Sequence, residues 1–98
     1  MTQKQEPNVH KHPGEIIKEM AAELDVTPRR LALALDVSPS TLQRVINGQS
    51  AVSPEMALRL EHVLLTDSLE WLIKQAEWDL QKARESVDVT HLPRIRQK

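Results

Sequence analysis

The chain has 98 residues, a formal net charge of -1 and no cysteine. This length suits one domain with a modest hydrophobic core, and the missing cysteines exclude disulfide bonds and thiolate metal sites. The sequence contains no long apolar run and no signal-peptide pattern, so we expect a cytoplasmic protein with no membrane partner. Two tryptophans as the only aromatic residues, together with only two glycines, favour an all-α fold over many short strands.

The N-terminal segment, residues 1–12, is polar and is interrupted by Pro7, which predicts a flexible arm. Within it, His10 and His12 form an HxH pair of a kind that can bind a metal ion. Because no cysteine and no helical partner lies near them in the sequence, we interpret both as solvated histidines. We predict no metal site and no cofactor.

One combination of residues marks three helix starts. A Ser or Thr can accept a hydrogen bond from a free amide of the first turn, and the proline after it has a φ suited to the first helical position. This pair occurs at Thr27, Ser38 and Ser53. With a helix from Pro13 and a long last helix from about Ser68 to Ser86, capped by Asp67 or Ser68, five helices are predicted. The predicted parts of the chain are the flexible N-terminal arm (1–12), a helical domain (13–86) and a basic C-terminal tail (87–98).

The short helix after Ser38 has two different faces. Leu42, Val45 and Ile46 recur at three- and four-residue spacing and can be buried. The other face carries short side chains with hydrogen-bonding groups, namely Ser40, Thr41, Gln43, Arg44 and Asn47. A sharp turn at residues 36–38 joins this helix to the one before it. Helix, tight turn and helix are the layout of a DNA-binding helix-turn-helix, whose second helix enters the major groove.

The residue types on this polar face are those that contact DNA. Gln43 and Asn47 can pair with adenine, Arg44 can contact guanine or a phosphate, and Ser40 and Thr41 can reach a base or the backbone. Amides near the helix start can hold a phosphate, and the loop after the helix would lie beside the sugar-phosphate strand. The local charge is also positive. The DNA-binding residues predicted on these grounds are Arg29, Arg30, Ser38, Ser40, Thr41, Gln43, Arg44, Asn47, Gln49 and Ser50.

The last predicted helix is apolar on two sides. One stripe at the helical period is expected to pack on the core, and it consists of Leu69, Leu72, Ile73, Ala76, Leu80, Ala83 and Val87. Trp71 and Trp78 project to roughly the opposite side. Two interpretations are open: the indoles fold back over a neighbouring helix, or they form a subunit interface, where aromatic residues are enriched. The interface interpretation assigns Trp71, Gln75 and Trp78 to a dimer contact.

Several blocks of the sequence resemble the HigA/VapI antitoxin group of the Xre family of helix-turn-helix regulators. The similarity covers about residues 12 to 84, in five blocks whose order and spacing make it specific. The blocks are His12-Pro13-Gly14-Glu15-Ile16-Ile17, Leu31-Ala32 with Ala34-Leu35, Ile46-Asn47-Gly48, Met56-Ala57-Leu58-Arg59-Leu60, and Glu70-Trp71-Leu72 with Gln75 and Trp78-Asp79-Leu80.

This resemblance implies a five-helix, phage-repressor-like fold and a homodimer that represses from palindromic operator DNA. In many members it also implies an antitoxin that binds a small ribonuclease toxin and represses the operon the two share. Carried over by position, the recognition-helix contacts fall on Pro39, Ser40, Thr41, Gln43, Arg44 and Asn47.

Three positions depart from the pattern of the group. Pro28 stands where a phosphate-contacting Gln is frequent, Gln49-Ser50 where a basic pair is frequent, and Asp36 where Gly is usual. These changes remove phosphate contacts and add slight strain to the turn. We therefore expect DNA affinity to be modest, or to depend on Arg29, Arg30 and the tails.

Two other classes of function were compared with a DNA-binding repressor. The first is a helical protein-binding module that neutralises a partner protein with little or no DNA binding, which the weak net charge favours. The second is an enzyme, but the sequence has no nucleophile elbow, phosphate-binding loop or metal-spaced cluster. We therefore predict a DNA-binding protein that is not an enzyme.

Overall fold

A computed structural model describes residues 10–96, and this part of the chain contains five α-helices and no strand. The helices are α1 (Pro13–Glu23), α2 (Pro28–Leu35), α3 (Pro39–Ile46), α4 (Pro54–Leu64) and α5 (Ser68–Ser86). The predicted all-helical architecture with a long last helix is confirmed.

The helix starts follow the predicted chemistry. At each Ser/Thr-Pro pair the hydroxyl oxygen accepts a hydrogen bond from the backbone N–H three residues later, at 3.1 Å: Thr27 from Arg30, Ser38 from Thr41 and Ser53 from Met56. Asp67 is the N-cap of α5. Short polar caps therefore fix where each of these four helices begins.

The hydrophobic core is formed by buried aliphatic side chains of α1 to α4 together with Trp71 of α5. Leu42, Val45 and Ile46 of α3 are buried, as predicted, and they pack in the same cluster as Ile17 of α1 and Leu60 of α4. The inner face of α3 is thus held by apolar contacts. Its outer face is left to solvent.

The core stripe predicted for α5 is wrong for three of its leucine and isoleucine residues. Of the two interpretations left open for the tryptophans, folding back over the protein's own helices is the one observed for Trp71. Trp71 and Gln75 are 3% and 6% exposed, so the side assigned to a dimer contact packs against this chain's own core. Leu69, Ile73 and Leu80, assigned to the core, are 60%, 40% and 50% exposed. Buried Trp71 and Gln75 are therefore unavailable to a second subunit.

Two hydrogen bonds explain which side of α5 is buried. Trp71 Nε1 donates to Thr66 Oγ1 at 2.7 Å, and Gln75 Oε1 accepts from the backbone N–H of Val52 at 2.8 Å. Both partners lie in the segments that flank α4. Because the N–H of Val52 would otherwise be a buried unpaired donor, packing the leucine side inward would leave this polar group unsatisfied.

His12 is not a solvated arm residue, contrary to the prediction. Its side chain is 3% exposed and is the N-cap of α1. The two residues before it also lie against the domain, with Lys11 Nζ 2.8 Å from Glu19 Oε2 and His10 Nδ1 3.5 Å from Glu77 Oε1. The domain therefore begins before residue 13. Residues 1–9 of the predicted arm and 97–98 of the predicted tail lie outside the described residues.

The described part of the C-terminal tail, residues 87–96, is exposed throughout. It contains a turn in which Asp88 Oδ1 accepts from the backbone N–H of Thr90 at 2.9 Å and from its hydroxyl at 2.6 Å. These two hydrogen bonds lower the pKa of Asp88. Within residues 10–96, no helix is long and apolar enough to cross a membrane.

Candidate nucleic-acid interface

The outer face of α3 presents its polar side chains to solvent. Gln43, Arg44 and Asn47 are exposed, as are Pro39 and Ser40 at the start of the helix, and Thr41 is half-buried. The face begins with small side chains, which permits a close approach of the helix N-terminus to another backbone. The structure therefore places all six recognition-helix positions on one accessible surface.

Two of these side chains are already joined by a hydrogen bond. Gln43 Nε2 donates to Asn47 Oδ1 at 3.0 Å, one helical turn away. The bond uses one donor of Gln43 and one acceptor of Asn47, leaving the Gln43 carbonyl and the Asn47 amino group free. A carbonyl acceptor beside an amino donor is the pattern that pairs with the major-groove edge of adenine.

At the start of α3 the hydroxyl groups form a small cluster. Ser38 Oγ lies 2.7 Å from Thr41 Oγ1 and 3.2 Å from Ser40 Oγ. The same Ser38 oxygen caps the helix by accepting from the N–H of Thr41. The positive end of the α3 dipole and three hydroxyls therefore meet at one point, an arrangement suited to a phosphate oxygen.

The turn between α2 and α3 is built around Asp36. This residue has φ 59° and ψ 44°, the left-handed conformation for which Gly is the usual residue. Arg59 of α4 supports the turn, since its Nη1 donates to the carbonyl oxygens of Leu35 at 2.7 Å and Asp36 at 3.2 Å. The Arg59 Nη2 donates to Glu55 Oε2 at 2.7 Å, and this hydrogen bond raises the pKa of the guanidinium. Arg59 thus ties the turn to α4.

The far end of α3 is closed by Gly48, which has φ 78°. The backbone N–H groups of Gln49 and Ser50 both donate to the carbonyl oxygen of Arg44, at 2.8 and 3.2 Å. This chain reversal satisfies a helix-end acceptor and holds residues 49–50 next to the exposed face of α3.

The predicted phosphate-binding arginines lie on the neighbouring helix. Arg29 and Arg30 are exposed in the first turn of α2, and they line a groove shared with Leu33, Val37 and Pro39. The groove connects the start of α2 to the start of α3. The structure therefore brings both arginines to the same side of the molecule as the N-terminus of the recognition helix.

The three residues predicted at a dimer interface lie elsewhere. Trp71 and Gln75 are buried between α5 and the rest of the chain, whereas Trp78 is half-buried, with its ring edge-on to His12 at 5.6 Å. The sequence reasoning missed the positional roles of Arg59 and His12. A signal for His12 existed, because His12-Pro13 has the same polar-residue-then-proline order as the three predicted helix starts.

The comparisons with known proteins agree with this geometry. The Helix-turn-helix family model matches residues 17–71, which spans α1 to the first turn of α5. The chain belongs to the helix-turn-helix family.

Relatives of this helix-turn-helix protein include a transcriptional regulator and a virulence-associated protein. The HTH-type transcriptional regulator YddM of Escherichia coli is 41% identical over 86 residues, covering 88% of this chain and 92% of its own. Virulence-associated protein I of Dichelobacter nodosus is 35% identical over 75 residues, covering 76% of this chain and 69% of its own. The resemblance to the HigA/VapI group is thus confirmed.

Solved structures show the same fold. The Pseudomonas aeruginosa antitoxin HigA, determined with the higBA promoter, is 32% identical, with a TM-score of 0.82 over 88% of this chain and 97% of its own. A second Pseudomonas aeruginosa protein, determined with an 18-base-pair operator DNA, is 33% identical, with a TM-score of 0.80 over 86% of this chain and 94% of its own. The structural neighbours therefore include proteins captured on their operators.

Proposed function

We propose that this chain is a sequence-specific DNA-binding transcriptional repressor that acts as a homodimer on palindromic operator DNA, and that it is the antitoxin of a HigBA-like pair. The observation that carries the proposal is the outer face of α3. Gln43, Arg44 and Asn47 are exposed there on a helix whose inner side is buried in the core. Its start is capped by Ser38, its end is closed by Gly48, and Arg59 supports the turn before it.

In this proposal α3 enters the major groove. Gln43 and Asn47 act together on one adenine or on adjacent bases, and Arg44 contacts guanine O6 and N7. Ser38, Pro39, Ser40 and Thr41 approach the strand at the start of the helix, and Gln49 and Ser50 at its end. Arg29 and Arg30 neutralise phosphates and so add to DNA affinity. They compensate for Gln49-Ser50, which stand at the positions where the HigA/VapI group frequently has a basic pair.

The proposed homodimer uses the exposed side of α5. Leu69, Ile73 and Leu80 recur with Ala76 at the helical period, so their exposed apolar groups form a single stripe on one face. A stripe of this kind is costly to leave in water, and a two-fold axis through it would bury it against its own copy. Such a dimer places two recognition helices on successive turns of DNA, about 34 Å apart, and requires a palindromic site.

The antitoxin part of the proposal rests on the relatives. The HigA structure named above is an antitoxin, and antitoxin GraA is also a structural neighbour, 34% identical with a TM-score of 0.74. We propose a small ribonuclease toxin as the protein partner, with repression of the shared operon in the cytoplasm. This role is one of binding and requires no catalytic group.

The proposed function divides the chain into three segments with different roles. The DNA-binding and dimerisation domain corresponds to residues 13–86, with His12 added on the grounds of its burial. Residues 10 and 11 also lie against this domain, and we propose that residues 1–9 and 87–98, on either side of it, contact DNA or the toxin. The tail carries Arg94, Arg96 and Lys98, so it can add to phosphate binding.

The test is binding to the DNA immediately upstream of the coding region, titrated at low and at physiological salt with random DNA as competitor. We expect competitor-resistant binding with two protomers per site and a steep loss of affinity with salt, because phosphate contacts release counterions. Equal binding to random DNA would refute sequence-specific repression. Co-purification with the product of a neighbouring reading frame tests the antitoxin role separately.

A further inference from the structure

His12 lies where the start of α1, the end of α3 and the middle of α5 meet. Its Nδ1 accepts a hydrogen bond from the backbone N–H of Gly14 at 2.9 Å, which caps α1. Its ring meets the indole of Trp78 edge-on, with centroids 5.6 Å apart and planes 82° apart. A histidine buried to this degree makes contacts that a solvated arm residue does not make.

The same ring faces the residue at which the chain leaves the recognition helix. A Cβ placed on Gly48 would lie 3.7 Å from His12 Cγ, which is ordinary van der Waals contact. Gly48 is the residue that ends α3 and turns residues 49–50 back towards Arg44. The His12 ring therefore lies next to the C-terminal boundary of the helix that is proposed to enter the groove, with space for one methyl group between them.

Gly14 brings α1 into direct contact with α3. A Cβ on this residue would overlap the carbonyl group of Val45 and come within 2.9 Å of Ile46 Cα. These are backbone atoms of the last turn of α3, and a side-chain rotation cannot move them out of the way. The absence of a side chain at Gly14 is thus what permits α1 and α3 to pack at this distance.

We infer that His12 is a positioning residue for operator recognition: with Gly14, Gly48 and Trp78 it forms a cluster that fixes the C-terminal end of α3 relative to α1 and α5. The inference rests on the proposed function, because it concerns the angle at which α3 is presented to DNA. It goes further in linking the recognition helix to α5, the helix that carries the proposed dimer stripe. A change in this cluster therefore alters the orientation of the recognition helix relative to the proposed dimer face, and with it the spacing of the two recognition helices in a dimer.

The cluster requires a neutral imidazole. Nδ1 faces the N–H of Gly14 and must accept from it, and a protonated ring has no free acceptor at that position. Burial lowers the pKa of His12, opposed by the charges of Asp79 and Glu15. Charged groups on the surrounding elements include Lys82, whose Nζ lies 5.7 Å from the centroid of the Trp78 ring, and Arg44 on the exposed side of α3. Beside His12 itself, Lys11 is paired with Glu19 of α1, and His10 lies 3.5 Å from Glu77 of α5.

The direction of the pH effect follows from this lowered pKa. Above the ordinary histidine pKa of about 6.5, His12 is neutral in both the folded and the unfolded chain. As the pH falls below that value, the unfolded chain takes up the proton first, so stability is lost between pH 6.5 and the lower pKa of the folded state. Operator affinity is expected to decrease over the same range if His12 must be neutral to hold α3.

The experiment compares the full-length wild type with His12→Asn and His12→Ala on an operator fragment at pH 7.5 and pH 5.5. Asparagine keeps a side-chain acceptor for the cap but carries no titrating charge. We expect the wild type to lose up to about tenfold more affinity on acidification than the Asn variant. The limit is about tenfold because pH 5.5 lies one unit below the ordinary histidine pKa of about 6.5, and one pH unit changes the ratio of protonated to neutral imidazole tenfold. His12→Ala should bind more weakly than His12→Asn at both pH values.

Equal pH ratios for wild type and His12→Asn would overturn the inference, since the two proteins differ only at position 12. Far-UV circular dichroism must remain unchanged, so that a loss of affinity does not report unfolding. Failure of the wild type to select its operator at pH 7.5 would refute the proposed function alone. In that event, NMR decides the inference: the Ile46 and Gly48 amides must shift with the His12 titration, and amides that do not shift overturn it.

Discussion

The guanidinium of Arg59 donates a hydrogen bond to the carbonyl oxygen of Leu35 at 2.7 Å, joining α4 to the last residue of α2. It also donates to the carbonyl of Asp36, which occupies a left-handed conformation in the turn of the helix-turn-helix. These contacts hold the angle between α2 and the recognition helix. These hydrogen bonds offset the backbone strain of an aspartate in a left-handed position where glycine is usual.

We predict that Arg59→Met lowers both the thermal midpoint and the operator affinity, because the aliphatic part of the side chain is kept while both carbonyl partners are lost. Glu55→Gln is the matched control, since it weakens only the ion pair on the solvent side of Arg59. Thermal unfolding and operator titration of the two variants test this. Equal effects of the two substitutions would show that the carbonyl bonds do not support the turn.

Gly14→Ala and Gly48→Ala should differ strongly in their cost. At Gly14 the new methyl would collide with the backbone of Val45 and Ile46, so we expect a loss of about 3 kcal/mol in the free energy of unfolding. At Gly48 there is space for a methyl, and the cost of a positive φ is about 1 to 2 kcal/mol. Urea unfolding measures both. A Gly14 variant as stable as the Gly48 variant would contradict the close packing of α1 on α3.

The sequence predicted the helix boundaries well because the signals are local. A hydroxyl followed by proline determines a helix start within four residues, so Thr27, Ser38 and Ser53 could be recognised without knowledge of the fold. The recognition surface was predictable for the same reason. A short helix with Leu42, Val45 and Ile46 on one side can only expose the other.

The orientation of α5 was not predictable from its pattern. This helix has apolar residues on two sides, and periodicity favoured the side with more of them. The deciding contacts of Trp71 with Thr66 and of Gln75 with Val52 join residues of different elements, which a helical period does not describe. His12 was misjudged for a related reason, since its burial depends on Trp78, far along the chain.

Gln75→Leu tests the revised orientation of α5. The substitution keeps the apolar volume but leaves the buried N–H of Val52 without an acceptor, for which we expect a loss of about 1 to 3 kcal/mol in the free energy of unfolding. Asp79→Ala removes the other hydrogen-bond partner of Gln75 at an exposed position, and it should cost less. A neutral Gln75→Leu variant would indicate that α5 does not pack through this side chain.

Ile73→Glu tests the proposed dimer face. The residue is 40% exposed in the single chain, so a charge there should change stability little but should oppose burial against a second copy. Leu33→Glu is the control, because Leu33 is 79% exposed on α2, away from α5. We expect sedimentation velocity to give a dimer for the wild type and the control and a monomer for Ile73→Glu. A dimer that withstands Ile73→Glu would place the interface elsewhere.

The most direct test of the account is the affinity of Arg44→Ala, measured on the operator and on its single-base variants beside Arg84→Ala. Arg84 is an exposed arginine of α5 and controls for the loss of one positive charge. If α3 reads guanine through Arg44, Arg44→Ala weakens operator binding by about 1 to 3 kcal/mol and no longer discriminates at one base pair of each half-site. A uniform loss on every sequence would make Arg44 a phosphate contact, and an affinity as unchanged as that of Arg84→Ala would contradict base recognition by Arg44.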